Sequence, residues 1–287
     1  MDVIKTQTRY LVRSAKGDDF QQLAGLTHFG AYVHYHLGWA SPLDWLGKDP
    51  YLVLEKEGRI VAAIACPEDY QGVAWLQFFA VSQGVSVEES WELLWPGVLN
   101  GLDDDISVLA LPIQRWFRRL LQSKDFVKFD DVILLAWKHE NRHYQAPLHK
   151  PIYRVRPMKF DDLGAIQALD NEAFDPVWRH SMTVIEAIFR DVKIATVIED
   201  HKGILGYQMS TEHIERGHLA RLAVHPRAQR SGVGTELVLD LIQKFKSRGI
   251  SHITVNTQVD NKGSQVLYYK LGFKNTDEIY TAYQARV

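Results

Sequence analysis

The sequence predicts an α/β layered fold built twice along one chain. Two observations carry this expectation. Apolar runs of strand length alternate with amphipathic helical stretches from end to end, and the second half of the chain repeats the first. Tyr10-Leu-Val-Arg-Ser-Ala-Lys-Gly-Asp-Asp19 matches Tyr153-Arg-Val-Arg-Pro-Met-Lys-Phe-Asp-Asp162 at six of ten positions, an offset of 143 from residue 10 to residue 153. The same offset sets Ala80-Val81 against Ala223-Val224, each closing an apolar run, and Asp125-Phe126 falls close to the counterpart of Gly272-Phe273. Matches in one order at a fixed offset mark a duplicated unit. The join is expected in the polar stretch 139–150, dividing the chain into 1–149 and 150–287.

Each half is expected to run strand, helix, helix, several strands, helix, strand, helix and final strands. In the second half the strands are expected at 153–156, 193–198, 204–211, 217–224, 252–256 and 278–285, and the helices at 161–174, 182–190, 232–248 and 263–271. The first helix is entered at Asp161-Asp162, since aspartate is favoured near helix N-termini. Asp200-His-Lys-Gly203 is a turn-rich cluster between two apolar runs and reads as a hairpin. The long helix from 232 carries Leu237, Leu241, Ile242 and Phe245 at helical spacing.

Composition narrows the function classes. Of 287 residues, 46% are hydrophobic and 24% charged, with a formal net charge of −2. That is the balance of a globular protein, and it argues against a binder of nucleic-acid backbones. Arg115, Arg118 and Arg119 are spaced as one face of a helix. Cys66 is the single cysteine, so a disulfide within the chain and a multi-cysteine zinc site are both excluded, and no metal is expected. It stands in the apolar run 60–66 and is expected to be a buried thiol. No stretch approaches the ~18 apolar residues of a membrane helix, and the first five residues do not resemble a signal peptide. A cytoplasmic location without membrane or nucleic-acid partners is the expectation, and the oligomeric state is left open.

The stretch richest in chemistry is Leu222-Ala-Val-His-Pro-Arg-Ala-Gln-Arg-Ser-Gly-Val-Gly-Thr-Glu-Leu237. An apolar strand ends at Val224, Pro226 breaks it, and a loop with Gly232 and Gly234 opens the long helix. A helix N-terminus offers unpaired N–H groups and a positive dipole end, glycines let the backbone come close, and Arg227 and Arg230 add positive charge. Taken alone, a Gly-x-Gly at a helix start is more often a plain tight turn than a ligand site. No Gly-Lys-Ser/Thr follows, so it is not a Walker loop, and Leu237 stands where a dinucleotide fingerprint needs its last glycine.

Gln229-Arg-Ser-Gly-Val-Gly234 resembles the (Gln/Arg)-x-x-Gly-x-(Gly/Ala) pyrophosphate loop of the GNAT N-acetyltransferases. About 30 residues on, Asn261-Lys-Gly-Ser-Gln-Val-Leu-Tyr-Tyr-Lys-Leu-Gly-Phe273 is similar to that family's Asn-x-x-Ala-x-x-Leu-Tyr-x-Lys-x-Gly-Phe motif, with Ser264 in the alanine place. The resemblance implies two tandem GNAT folds, each a mixed, mostly antiparallel sheet flanked by helices, and an acyltransferase that uses acetyl-CoA as co-substrate.

The resemblance also implies roles. The strand ending at Val224 splays from its neighbour, and the main chain of Leu222 and Val224 holds the pantetheine arm. The N–H of Val224 stabilises the developing oxyanion. Gln229 belongs to the loop, and backbone N–H groups of Arg230, Ser231, Gly232, Val233, Gly234 and Thr235 cradle the pyrophosphate. Asn261 touches the arm. Tyr268 protonates the departing thiolate, a task suited to a phenol with a reference pKa near ~10, while Tyr269 is a packing or surface residue. The base is less determined: family members carry a glutamate either where His218 stands or where Asn256 stands. A histidine can serve as base directly or through water; a surface histidine on a strand is the plain alternative. Trp178, Arg179 and His180, between the first two helices, border the acceptor entrance or else cap and pack.

At the counterparts of Gly232 and Gly234 the offset of 143 gives Glu89 and Trp91, and counting back from Phe126 gives Leu121 opposite Tyr268. Glu88, Glu89 and Glu92 oppose a diphosphate and leucine cannot donate a proton. The first half is therefore expected to be a degenerate copy without cofactor, stabilising the second and walling its acceptor site, with its tryptophans mostly packing. Three functional classes stay open: an enzyme acetylating a small-molecule amine or a peptide N-terminus, a non-catalytic acyl-CoA sensor, and a scaffold without ligand.

Overall fold

The computed structural model describes residues 10–70, 72–139 and 152–285. The expected join at 149/150 lies outside these residues. By contacts the chain forms two compact units: unit 1 holds Met1–Phe129 and Thr281–Val287, and unit 2 holds Asp130–Tyr280.

Unit 1 runs β1 (Tyr10–Ser14), α1 (Phe20–Phe29), β2 (Tyr32–Tyr35), β3 (Tyr51–Lys56), β4 (Arg59–Ala65), β5 (Glu68–Tyr70), β6 (Val73–Trp75), β7 (Phe78–Val81), α2 (Val87–Asn100), β8 (Ser107–Ala110), α3 (Arg115–Gln122) and the start of β9 (Phe126–Lys138). One sheet has the order β1-β3-β4-β7-β2. In the other set β5 pairs with β6, β6 runs parallel to β8, and Tyr283-Gln284 from the chain's last strand pairs antiparallel with β8. β3 and β4 are buried on both faces. Leu52, Leu54, Ala62 and Ile64 join the core around Trp91 and Phe117, while Tyr51, Val53, Ala63 and Ala65 join the core around Leu23 and Leu26. Cys66 is fully buried among these apolar side chains, which push its thiol well up.

Unit 2 takes over β9 and continues with β10 (Val155–Pro157), α4 (Leu163–Ala173), α5 (Met182–Asp191), β11 (Ile194–Asp200), β12 (Gly203–His213), β13 (Arg216–Val224), α6 (Val233–Ser247), β14 (His252–Gln258), α7 (Lys262–Lys270) and most of β15 (Lys274–Ala285). Its sheet order is β10-β11-β12-β13-β14, with residues 132–138 of β9 antiparallel along β14. Within that order the pairs are antiparallel except β13 with β14. The expected 200–203 hairpin turns there, with Asp200 facing Gly203. α6 buries Val233, Leu237, Val238, Leu241, Ile242 and Phe245. At ~1.5–3 kcal/mol for each large apolar side chain, that stripe fixes the helix on the sheet. A Cβ at Gly206 would meet the Val233 side chain at 2.7 Å, and one at Gly217 would meet Phe245 at 2.5 Å, so both strand glycines admit α6.

The repeated Arg…Lys…Asp pattern has one physical cause in both units. Arg13 forks onto Asp19 at 2.7 and 2.8 Å, and Lys16 N–H donates to the same carboxylate at 2.8 Å. Arg156 forks onto Asp162 at 2.7 and 3.0 Å, and Lys159 N–H donates at 2.7 Å. Each arginine thus ties its first strand to the 3-10 turn that opens its first helix. The two halves differ after that helix. Unit 2 has the expected second helix, α5, but unit 1 has none: β2 and a 3-10 turn at Pro42–Trp45 take its place. The expectation of two leading helices in both halves is corrected here. Gly38, Gly47 and Pro50 interrupt any helix over 36–50.

Candidate active site

β13 and β14 pair in parallel only from Arg216↔His252 to Leu219↔Val255. β13 then runs on to Val224 and β14 to Gln258 without pairing to each other, so the sheet opens at this point. Ala220 is the extra residue of a bulge, since Leu219 faces Ser210 and Arg221 faces Met209. On its other side β13 stays paired with β12 as far as Val224↔Gly206. His225 N–H donates to Leu205 O at 2.8 Å. Antiparallel rungs alternate, so Leu222 and Val224 direct their main-chain groups away from β12, into the opening. The Val224 carbonyl there accepts from Gln229 Nε2 at 3.4 Å.

The loop from β13 to α6 is held from several sides. Pro226–Ala228 makes a 3-10 turn, and Ser231 Oγ donates to Ala228 O at 2.6 Å. His225 Nδ1 accepts from Arg227 N–H at 3.2 Å, which leaves Nε2 to donate to Glu172 at 3.2 Å. Arg230 and Gly232 both have positive φ, 61° and 98°. Glycine is demanded at 232, while arginine at 230 adopts a strained conformation. Successive backbone conformations of this kind turn N–H groups toward one point. Among the described residues, the N–H groups of Arg230 to Thr235 donate to no protein acceptor; the first closed turn of α6 is Glu236 N–H to Gly232 O at 3.0 Å. Gly234 has a different reason: a Cβ there would meet Leu267 at 3.1 Å and Val224 at 3.5 Å. Its hydrogen lets α6, α7 and the end of β13 come together. Arg227 forks onto Asp200 at 2.8 and 3.0 Å, so its charge is spent on the 200–203 hairpin, and Arg230 remains the unpaired cation of the loop.

α7 brings up two further residues. Asn261 caps it, Oδ1 accepting Ser264 N–H at 3.0 Å. Tyr268 is 4% exposed, with its ring 5.5 Å from that of Phe273, in the core shared with Val238, Leu241 and Phe245. Its hydroxyl makes no hydrogen bond among the described residues, and burial pushes the phenol well above its ordinary range. His218 faces the other side of the sheet, half-buried, with Nδ1 2.9 Å from Thr254 Oγ1. Burial lowers its pKa, which keeps the imidazole neutral at pH 7. His218 and Tyr268 thus belong to opposite faces, and the separation of β13 from β14 is where groups from both faces can reach one reactant. Asn256 is exposed on β14.

One buried group was not anticipated from the sequence. Asp170 of α4 is fully buried and accepts from Arg221 Nε at 2.8 Å, from Arg221 Nη2 at 2.6 Å and from the Tyr207 hydroxyl. Arg221 also donates to Trp178 O at 2.7 Å and lies 3.6 Å over the Phe174 ring. A side chain of β13 thereby fixes the segment between α4 and α5. Of the three candidates there, Arg179 folds back, its Nε donating to Phe174 O at 2.9 Å, Trp178 is anchored through its main chain, and His180 stands half-buried beside them. The available signal was Asp170 itself, a carboxylate on the face that carries Ile166 and Leu169.

Residues 163–273 match the acetyltransferase (GNAT) family. The matched stretch runs from the start of α4 to just past α7. Among curated relatives, the chain is similar to N-alpha-acetyltransferase 30 of Schizosaccharomyces pombe, 32% identical over 68 residues, covering 24% of this chain and 45% of that protein. N-alpha-acetyltransferase MAK3 of Arabidopsis thaliana is 34% identical over 68 residues, 24% of this chain and 36% of that one. The match therefore spans less than half the length of these relatives. A tandem GNAT protein from the clavulanic acid biosynthesis pathway shares the fold over 97% of this chain and 98% of its own, with a TM-score of 0.64 at 13% identity. A putative acetyltransferase from Pyrococcus horikoshii does so over 100% and 92%, with a TM-score of 0.60 at 15% identity. The fold is a tandem GNAT arrangement of open, mostly antiparallel sheets flanked by helices. No helix among the described residues is long and apolar enough to cross a membrane, and no metal-binding cluster of histidine, cysteine or carboxylate occurs among them.

In unit 1 the counterpart of the GNAT loop is shorter, residues 82–86 against 225–232. Aligned on its helix start, Ser86 replaces Gly232 and Glu88 replaces Gly234, which corrects the assignment of Glu89 and Trp91 to those places. Trp91 is 1% exposed, stacked on Trp95 at 4.7 Å in the core. Leu121, opposite Tyr268, is fully buried.

Proposed function

We propose that unit 2 transfers the acetyl group of acetyl-CoA to a primary amine, of a small molecule or a peptide N-terminus, by direct attack within a ternary complex. The observation that carries this reading is the parting of β13 from β14 beyond Leu219↔Val255, beside six backbone N–H groups without protein acceptors. The opening suits an extended amide-bearing arm running along Leu222 and Val224, and the N–H groups of Arg230 to Thr235 suit a diphosphate. Asn261 keeps its amide NH2 available to the arm after capping α7, and Gln229 closes over the Val224 carbonyl.

The protein's share of the chemistry is placement, proton transfer and charge stabilisation. The amine nitrogen attacks the thioester carbonyl and forms the C–N bond. The Val224 N–H donates to the oxygen that gains charge. His218 accepts the ammonium proton, directly or through water. The carbon–sulfur bond breaks as the Tyr268 hydroxyl donates its proton to the leaving thiolate, and the phenol is then reprotonated from solvent. Trp178, Arg179 and His180, in the segment that Arg221 ties to β13 through Trp178 O, border the amine's approach.

The test is release of free CoA from acetyl-CoA over a panel of amines and N-terminal peptides, with acetylated product identified by mass spectrometry. Product with at least one amine is expected. Thermal stabilisation by acetyl-CoA without product from any amine would leave a cofactor-binding module, and the absence of both would dismiss the cofactor.

A further inference from the structure

The slot that stands open in unit 2 is filled in unit 1 by the chain itself. Residues 73–81 stand opposite 216–224 at the offset of 143. β6 pairs in parallel with β8 as far as Trp75↔Leu109, Leu76 N–H donates to Leu109 O at 2.7 Å, and the two strands then separate, as β13 and β14 do. Ser82 N–H donates to Val61 O at 2.8 Å, the counterpart of His225 N–H to Leu205 O. β7 presents no bare edge beyond that point. β2 lies along it in the register Tyr32↔Val81, Val33↔Ala80, His34↔Phe79, Tyr35↔Phe78, and His36 N–H donates to Gln77 O at 2.9 Å. Rungs alternate, so the hydrogen-bonded pairs are His34 with Phe79 and Tyr32 with Val81. Phe79 and Val81 are the counterparts of Leu222 and Val224.

Side chains extend the correspondence. Gln114 holds the N-cap position of α3, as Asn261 does of α7, but makes no cap bond with its side chain, whose Oε1 lies 3.2 Å from His34 Nδ1. The His34 ring, fully buried, stacks on Phe117 at 4.0 Å, and Tyr32 meets Trp116 edge-on at 5.3 Å. Gly30 makes the entry possible. A Cβ there would stand 2.6 Å from Leu26 O and 2.8 Å from the Val33 side chain, so only glycine turns the chain from α1 straight into the slot. At the far end, Ser86 Oγ accepts Glu89 N–H at 3.2 Å, which uses one of the N–H groups that the first turn of α6 leaves open.

We propose that β2 is a built-in occupant of the acyl-CoA channel of unit 1, standing where the cofactor's arm would pair, so that the chain takes up one equivalent of acetyl-CoA, in unit 2. This rests on the reading that the open edge of β13 receives that arm.

Residue-resolved amide hydrogen exchange on the full chain, with and without acetyl-CoA, tests it together with calorimetric stoichiometry. Phe79 and Val81 should exchange slowly in the ligand-free protein and should not respond to acetyl-CoA. Leu222 and Val224 should exchange fast and slow by about ten-fold or more on binding, with one equivalent bound per chain. Fast exchange at Phe79 and Val81 without ligand, slowing there by the cofactor, or a stoichiometry of two overturns the proposal. If acetyl-CoA alters neither edge, the reading of unit 2 is what fails, and the ligand-free exchange of Phe79 and Val81 alone decides whether β2 holds the slot.

Discussion

A phenol buried among leucines, valine and phenylalanine keeps its proton over the whole neutral range, which suits a donor to a sulfur anion and unsuits it as a base. Tyr268→Phe removes one oxygen from that core without changing its shape. Turnover is expected to fall by about 10²–10⁴-fold, while acetyl-CoA affinity by calorimetry stays within about two-fold of the parent; a variant with unchanged turnover excludes the hydroxyl from the reaction. For His218 the direction of the pKa shift fixes the pH profile. Burial lowers it from the ordinary 6.5, and a base works unprotonated. kcat/KM should therefore rise with pH to a plateau reached at a lower pH than an unperturbed imidazole would give, and His218→Gln should remove that rising limb; a limb that persists in the variant assigns the base elsewhere.

Two devices of element size hold the site. The Asp170–Arg221–Tyr207 group fastens α4 to the middle of the sheet with one partner fully buried. Arg221→Met leaves the Asp170 charge stranded, and a loss of about 3–5 kcal/mol of stability is expected from urea unfolding. Asp170→Asn added to Arg221→Met should recover part of it; equal losses in the two variants would mean that packing rather than charge is at stake. Gly232, at φ 98°, starts α6. Gly232→Ala forces a Cβ into a left-handed conformation costing about 1–2 kcal/mol, so acetyl-CoA affinity should drop about ten-fold, which calorimetry would read directly. At this scale much was legible in the sequence. The strand and helix expectations of unit 2 fall on observed elements, because apolar spacing, Gly232, Pro226 and the 200–203 turn are local signals. The substitution of β2 for a second helix was missed, although Tyr32, Val33, His34 and Tyr35 have the composition of a strand. The repeat suggested equal halves and overrode that local signal. Arg221 was illegible for another reason: a charge within an apolar strand reveals its purpose only when Asp170, 51 residues away, meets it.

Over the whole molecule, buried histidines tie stability to pH. His34 is fully buried in unit 1, and burial drives its pKa from 6.5 to about 3. The unfolded chain binds that proton below pH 6.5 and the folded one does not, so His34 should cost unit 1 up to ~1.4 kcal/mol per pH unit as pH falls from about 6.5 toward 3, and His36, lowered by burial to about 4, adds to the slope above that pH. His34→Gln should flatten this slope in urea unfolding followed by unit 1 tryptophan fluorescence; an unchanged slope would place the titrating group elsewhere. Each unit also completes its sheet with a strand from the other half of the sequence: residues 132–138 of β9 lie along β14, and Tyr283-Gln284 lies along β8. Scissors applied at residue 150 would therefore strip β14 of its neighbour and leave a row of unsatisfied amides and carbonyls, a template for any passing chain. Such a fragment should elute from size-exclusion chromatography as self-associated species, so the second half of the chain is not a detachable cassette.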